Sequence, residues 1–114
     1  MRDDSERIRD IQECLEKIEK YAVKGKRVFY EDELIQTWVI HHLQIIGEAN
    51  RAISEQFKGK YPQVLWLKIT DFMNLIVHEY FRVDLNIVWE IVENELPKLK
   101  QQINDILRDI QSNE

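Results

Sequence analysis

Glycine and proline are scarce in this chain, with three of the first and two of the second among 114 residues. An all-β protein of many short strands needs more turn-formers than that. Cysteine is nearly absent: Cys14 stands alone, which excludes a disulfide framework and points to a reducing compartment. No apolar run reaches the length of a membrane span, and the opening MRDDSER is charged rather than signal-like. The expectation is a soluble, cytoplasmic protein without a membrane role. An excess of positive charge is also missing, since 16 Lys and Arg against 21 Asp and Glu leave a net charge of −5. That balance opposes sequence-blind attraction to nucleic acid, although a local phosphate site is compatible with it.

Several chemical signatures are absent as well. There is no phosphate-cradling glycine loop, no nucleophile elbow and no cysteine–histidine pair. His41 and His42 lie near Glu48, but adjacent histidines point to different helix faces and no i,i+4 ligand pair exists, so neither a metal nor a cofactor is expected. His41 is expected on the core seam as a packed histidine, with His42 flanking it. Cations cluster at Lys24, Lys26 and Arg27 and again at Lys58 and Lys60, both after expected helix C-termini, where the helix dipole favours them.

What the chain does have is helical periodicity. Hydrophobic residues make up 44%, including 3 Trp, 4 Tyr and 4 Phe, enough for the core of one domain spanning 1–114. Ile8, Ile11, Leu15, Ile18 and Ala22 recur at spacings of three and four, an amphipathic seam preceded by N-cap chemistry at Asp3, Asp4 and Ser5. Cys14 borders this seam as a small buried hydrophobe, and Lys24-Gly25-Lys26 closes the helix.

A second helix is expected from about Glu31 to Phe57, with a seam of Leu34, Trp38, His41, Ile45, Ala49 and Ala52, flanked by Ile35, Val39, Leu43, Ile46 and Ile53. Gly47 falls in its middle, where glycine costs about 1 kcal/mol relative to alanine. Such a glycine commonly serves the close approach of another backbone. After a connection from Pro62 to Thr70, a third helix is expected over about 71–81. Its near-uniform hydrophobicity suggests a central place in the bundle. Asp84 is a plausible N-cap for a last helix whose apolar phase runs from Leu85 to Ile110. Pro97 has no N–H for the carbonyl four residues back, so a kink or restart is expected there, and the unbroken phase favours a kink. The fold class is therefore all-α, an antiparallel bundle of four or five helices.

The third helix holds the most informative pattern. "DFMNLIVHEYF" is apolar on almost every side, yet Asp71, Asn74 and His78 fall at spacings of three and four on one face. Asn74 can orient an imidazole, and His78 can move protons near neutral pH. The spacing leaves a second reading open, in which both are buried polar groups satisfied by neighbouring helices.

"IIGEANRAIS" at 45–54, followed by "WLKITDFMNLIVHEYFRVDLNIVWEIVENELPKLKQQI", resembles the HepT family of HEPN-domain proteins over nearly the whole chain. The resemblance implies a helical HEPN bundle and a metal-independent ribonuclease. It further implies the toxin of a toxin–antitoxin pair, with a minimal nucleotidyltransferase antitoxin as partner and homodimers whose motifs face each other. Carried over position by position, the family's histidine is His78, its asparagine Asn74 and its tyrosine Tyr80, the residue to which the antitoxin transfers AMP. The motif arginine falls at position 73, where this chain has Met73. Metal-free RNA cleavage needs a base, an acid and a cation for the developing phosphorane charge. Methionine offers neither charge nor donor, so cleavage is expected to be weak. Two other readings remain: a non-catalytic helical dimer that binds a nucleotidyltransferase, and a nucleotide-binding helical protein without toxicity.

Overall fold

The computed structural model describes residues 3–78 and 83–113, with the side chains of Val77 and His78 outside that description. Helices account for nearly all of it, and no strand occurs among the described residues. Helix α1 (Asp4–Ala22) begins where the Asp3 side chain accepts from the backbone N–H of Glu6, at 2.8 Å. It buries Ile8, Ile11, Leu15 and Ile18 of the expected seam together with Cys14 beside it, while Ala22 at its end is only half-buried. Each such isoleucine or leucine contributes about 1.5–3 kcal/mol through burial.

The turn after α1 places Gly25 at a φ of +94°, a conformation that L side chains rarely adopt. A short helix α2 (Lys26–Glu31) starts immediately afterwards and buries Phe29. Helix α3 (Glu33–Ala52) is capped by Asp32, whose carboxylate accepts from the N–H groups of Leu34 and Ile35. It ends earlier than its apolar pattern suggests. Ile53 turns extended, and Ser54 caps a separate helix α4 (Glu55–Lys60) while bonding back to Asp4 of α1 through both its N–H and its hydroxyl.

The seam of α3 is rotated from the expected one. Leu34 is 82% exposed, and His41 and Ala52 are exposed too. The buried line runs through Ile35, Val39, Leu43, Ile46, Gly47, Asn50 and Ile53. The two histidines exchange places accordingly. His42 is buried, with Nδ1 at 2.7 Å from the Trp38 carbonyl and its ring against the Trp38 indole, whereas His41 faces solvent.

Helix α5 (Trp66–His78) starts five residues before the expected Asp71. Helix α6 (Leu85–Glu90) is capped by Asp84, as its sequence indicates. Residues 91–95 then form a π-turn, in which the Leu96 N–H reaches the Ile91 carbonyl five residues back, and α7 (Leu96–Ser112) follows with Pro97 in its first turn. The kink expected at Pro97 takes this form: the missing N–H is accommodated by widening the preceding turn.

The long helices alternate in direction. Trp38 Nε1–H donates to the Lys17 carbonyl across α1 and α3, and Gln12 donates to Asn104 across α1 and α7. Helix α1 packs on both α3 and α7, while the principal neighbour of α5 is α3. The expected central position of the 71–81 segment is thus not observed. The surplus hydrophobicity of α5 lies outside the core, with Leu67 82% and Leu75 52% exposed.

The α3–α5 contact is set by Gly47. A Cβ built there would lie 2.7 Å from the Met73 Cβ and 2.9 Å from its Cγ. The obstructing atoms are the root of a side chain fixed to a helix, so they cannot swing aside. Gly47→Ala would gain about 1 kcal/mol of helix propensity but force the helices apart, at a cost of about 1–3 kcal/mol. The expected outcome in urea unfolding is net destabilisation; an unchanged or raised midpoint would show that the contact is loose.

Candidate active site

The α5 face that carries the polar stripe is built from the inside outward. Asn50 of α3 has no solvent exposure, and its Nδ2 donates to the Trp66 carbonyl at 3.1 Å and to the Thr70 hydroxyl at 2.7 Å. The Thr70 hydroxyl in turn reaches the Trp66 carbonyl. One turn further along each helix in opposite directions, Met73 sits over Gly47. These two contacts fix which residues of α5 face α3 (66, 70 and 73) and thereby which face away.

Asp71 is exposed and Asn74 half-buried, on the outer side of the helix. Residue 78 follows one turn after Asn74 and is the last residue assigned to α5. The helix backbone therefore carries the 71–74–78 stripe as its spacing requires. The His78 side chain and all of Tyr80 lie outside the described residues.

Position 73 is different in kind from Asn74. Successive helical residues are about 100° apart, and Met73 is only 3% exposed, against α3 on one side. On the other side it meets a cavity of about 210 Å³ between α5, the π-turn and α7, with Phe72, Leu96 and Leu99 in its walls and Lys68 and Glu95 among its lining. The Lys68 ammonium lies 3.7 Å from the Glu95 carboxylate.

Asn50 is the residue that sequence reasoning missed. Its signal was present, since it falls on the same face of α3 as Leu43 and Gly47, but a seam chosen for its apolar residues passes it by. Its Oδ1 is buried without a partner among the described residues, a cost accepted where the amide holds the start of α5 in register. Cys14 is buried, and burial pushes its thiol up to about 11. Among the described residues, no group of three or more His, Cys, Asp or Glu could hold a metal ion. No helix among them is long and apolar enough to cross a membrane.

With the stripe placed on an outward face of α5, sequence comparison decides the family. The profile described as "Ribonuclease HepT-like" matches residues 11–106. The chain belongs to the HepT-like ribonuclease family. Among its relatives, a "Probable ribonuclease HepT" of Thermococcus cleftensis is 34% identical over 97 residues, covering 82% of this chain and 86% of the relative. A "Putative RNase" of Caldanaerobacter subterraneus subsp. tengcongensis is 33% identical over 98 residues, covering 86% and 88%. A longer protein of Methanocaldococcus jannaschii, "Gamma-glutamylcyclotransferase and putative RNase", is 34% identical over 104 residues. This match takes in 90% of the present chain, which spans about half of that relative, 47% of its length. No solved structure matches significantly. The HepT-like match takes in α1 from Ile11, all of α3 and α5, and α7 through Ile106. Gly47, Asn50, Met73 and Asn74 thus all lie within the matched span.

Proposed function

We propose that the chain is the toxin of a toxin–antitoxin pair, a metal-independent ribonuclease attenuated at Met73. The observation that carries this reading is the HepT-like match over residues 11–106, within which α5 presents Asp71 and Asn74 outward with residue 78 one turn on. The chemistry assigned to the site is attack of a ribose 2′-oxygen on the adjacent phosphorus. His78 takes or returns the proton and Asn74 orients it; the 5′-oxygen leaves as an alcohol and a cyclic phosphate remains. The arginine expected at position 73 would stabilise the phosphorane oxygens. Met73 cannot, and loss of one such donor typically lowers rates by roughly 10²–10³.

Its partners in this reading are a second copy and a nucleotidyltransferase antitoxin. Exposed Leu67 and Leu75 on the polar-stripe side of α5 favour a homodimer that covers them and brings two stripes together. Such a dimer has twice the 13.8 kDa chain mass. The antitoxin transfers AMP to Tyr80: the phenolic oxygen attacks the α-phosphorus of ATP, pyrophosphate leaves, and the added phosphate excludes RNA. Two other tyrosines have hydroxyls that are already engaged. The Tyr61 hydroxyl donates to Asp109 at 2.7 Å, a bond that pushes its ionisation up to about 12, and the Tyr30 hydroxyl is held by Asn86.

The second reading, a dimer that binds the nucleotidyltransferase and cleaves nothing, is favoured by Met73 itself. It is neutral, buried and packed against Gly47.

Two experiments test the reading. Met73→Arg is expected to raise RNA cleavage and growth inhibition at least about tenfold, and His78→Ala in that background to abolish the gain. Equal activity of the wild type and Met73→Arg, in proteins that melt cooperatively, would favour the non-catalytic dimer. Incubation with the nucleotidyltransferase, ATP and magnesium is expected to add AMP mass to the Tyr80 peptide, and Tyr80→Phe to prevent it. Modification confined to Tyr21, Tyr30 or Tyr61 would place the switch elsewhere.

A further inference from the structure

The segment from Lys17 to Arg27 holds Lys17, Lys20, Lys24, Lys26 and Arg27 against the single carboxylate Glu19, a local charge of +4 that leaves −9 for the rest of the chain. Glu19 itself is engaged by Lys100 at 2.5 Å. Dipole stabilisation accounts for Lys20, in the last turn of α1. It does not account for Lys26 and Arg27, which open α2 and so stand at the end where the dipole disfavours cations.

Nor do neighbouring carboxylates neutralise the group. Lys17 pairs with Glu13 and Arg27 with Glu31, both at exposed positions where such pairs are weak. Lys20, Lys24 and Lys26 have no carboxylate partner among the described residues. Their ammonium groups stand 5.4–5.8 Å from the ring centroids of Tyr21 and Tyr30, a weak attraction that leaves their charge facing solvent. Tyr21 and Tyr30 are both half-buried at this corner.

The corner lies at the motif's end of the bundle. Because α3 runs antiparallel to both α1 and α5, the end of α1 and the end of α5 meet the same half of α3: Tyr21 packs edge-on against Trp38, and the Asn50–Thr70 and Gly47–Met73 contacts put residue 78 level with about residue 42. The described chain after the motif returns to this corner as well. Asn86, at the start of α6, accepts the Tyr30 hydroxyl, and Trp89 packs on Phe29.

We propose that this α1–α2 corner is the docking surface for single-stranded RNA, with Lys20, Lys24 and Lys26 binding phosphates and the half-buried Tyr21 and Tyr30 beside them meeting bases, so that the strand is led to the α5 motif. The proposal rests on the ribonuclease reading above. It explains how a chain of net charge −5 holds a polyanion, since the cations that bind are gathered at one end. Single strands fit the combination of cations with interleaved aromatic rings, whereas a duplex offers no base faces.

The test is binding of a fluorescein-labelled 2′-O-methyl RNA strand, which cannot be cleaved through its 2′-oxygen, measured by anisotropy over a salt series. Each phosphate contact to a single strand contributes about 0.7 to the slope of log K against log salt. The variant K20Q/K24Q/K26Q is expected to bind on the order of tenfold more weakly at low salt, with a slope shallower by about 2. A control pair, K58Q/K60Q on α4 at the opposite end, is expected to retain affinity and slope, and circular dichroism of both variants to match the wild type. Unchanged affinity and slope in the triple variant would overturn the docking surface while leaving the ribonuclease reading intact. An equal loss in the control pair would reduce the effect to net charge and overturn it too. A wild type that neither binds nor cleaves RNA would defeat both readings together.

Discussion

The close contact between Gly47 and Met73 is the constraint on which the site's geometry depends. Two helices ordinarily sit far enough apart for side chains to fill the space between them. Here one helix contributes no side chain at the crossing, and the Cβ and Cγ of Met73 occupy the vacated place. Because the fit is between a backbone and the root of a side chain, it locks rotation of α5 about its own axis as well as its distance. Rotating α5 by one residue would bring Asn74 to the place of Met73 and move Met73 to that of half-buried Phe72. The outward placement of the polar stripe is therefore a consequence of packing on the opposite flank.

Asn50 supplies what packing alone lacks, namely direction along the axis. An apolar contact tolerates sliding, whereas an amide that donates to one carbonyl and one hydroxyl does not. The arrangement also leaves a buried oxygen without a partner among the described residues, which an apolar residue would avoid. Specific register at some cost in stability is a common use of buried polar groups in helical assemblies, and the site at the far end of α5 benefits from it.

Much of this was legible in the sequence, and the errors have physical origins. The seam of α1 as far as Ile18, the caps at Asp3 and Asp84 and the role of Gly47 follow from local rules, and the structure has them. The seam of α3 was read about one residue out of phase because that helix is apolar on two sides, at Leu34 and Ile35 and again at Ile45 and Ile46. The true seam contains Gly47 and Asn50, which contribute nothing to a hydrophobic pattern. The first turns of α5 were missed because Lys68 and Thr70 interrupt the pattern there, while their helical state is fixed from outside by Asn50. The central place expected for α5 failed because hydrophobicity alone does not say which face is covered, and Leu67 and Leu75 lie open on the single chain. Within the motif, the packing role of Met73 could not be separated by spacing from the polar role of Asn74, since only tertiary contacts distinguish adjacent helical positions.

The π-turn at 91–95 has a consequence for how this chain tolerates change. It acts as a one-residue phase insertion between two helical segments that would otherwise be continuous. Upstream of it Val88 and Trp89 face inward, and downstream Leu96, Leu99 and Ile103 do. Removing a single residue from the turn would restore regular winding, but α6 would then be rotated by about 100° relative to α7. Trp89 would leave Phe29, and Asn86 would leave Tyr30. Insertions and deletions here are therefore not equivalent to those in an exposed loop. The segment looks like ordinary helix in the sequence, yet its length is as tightly specified as the identity of any core residue.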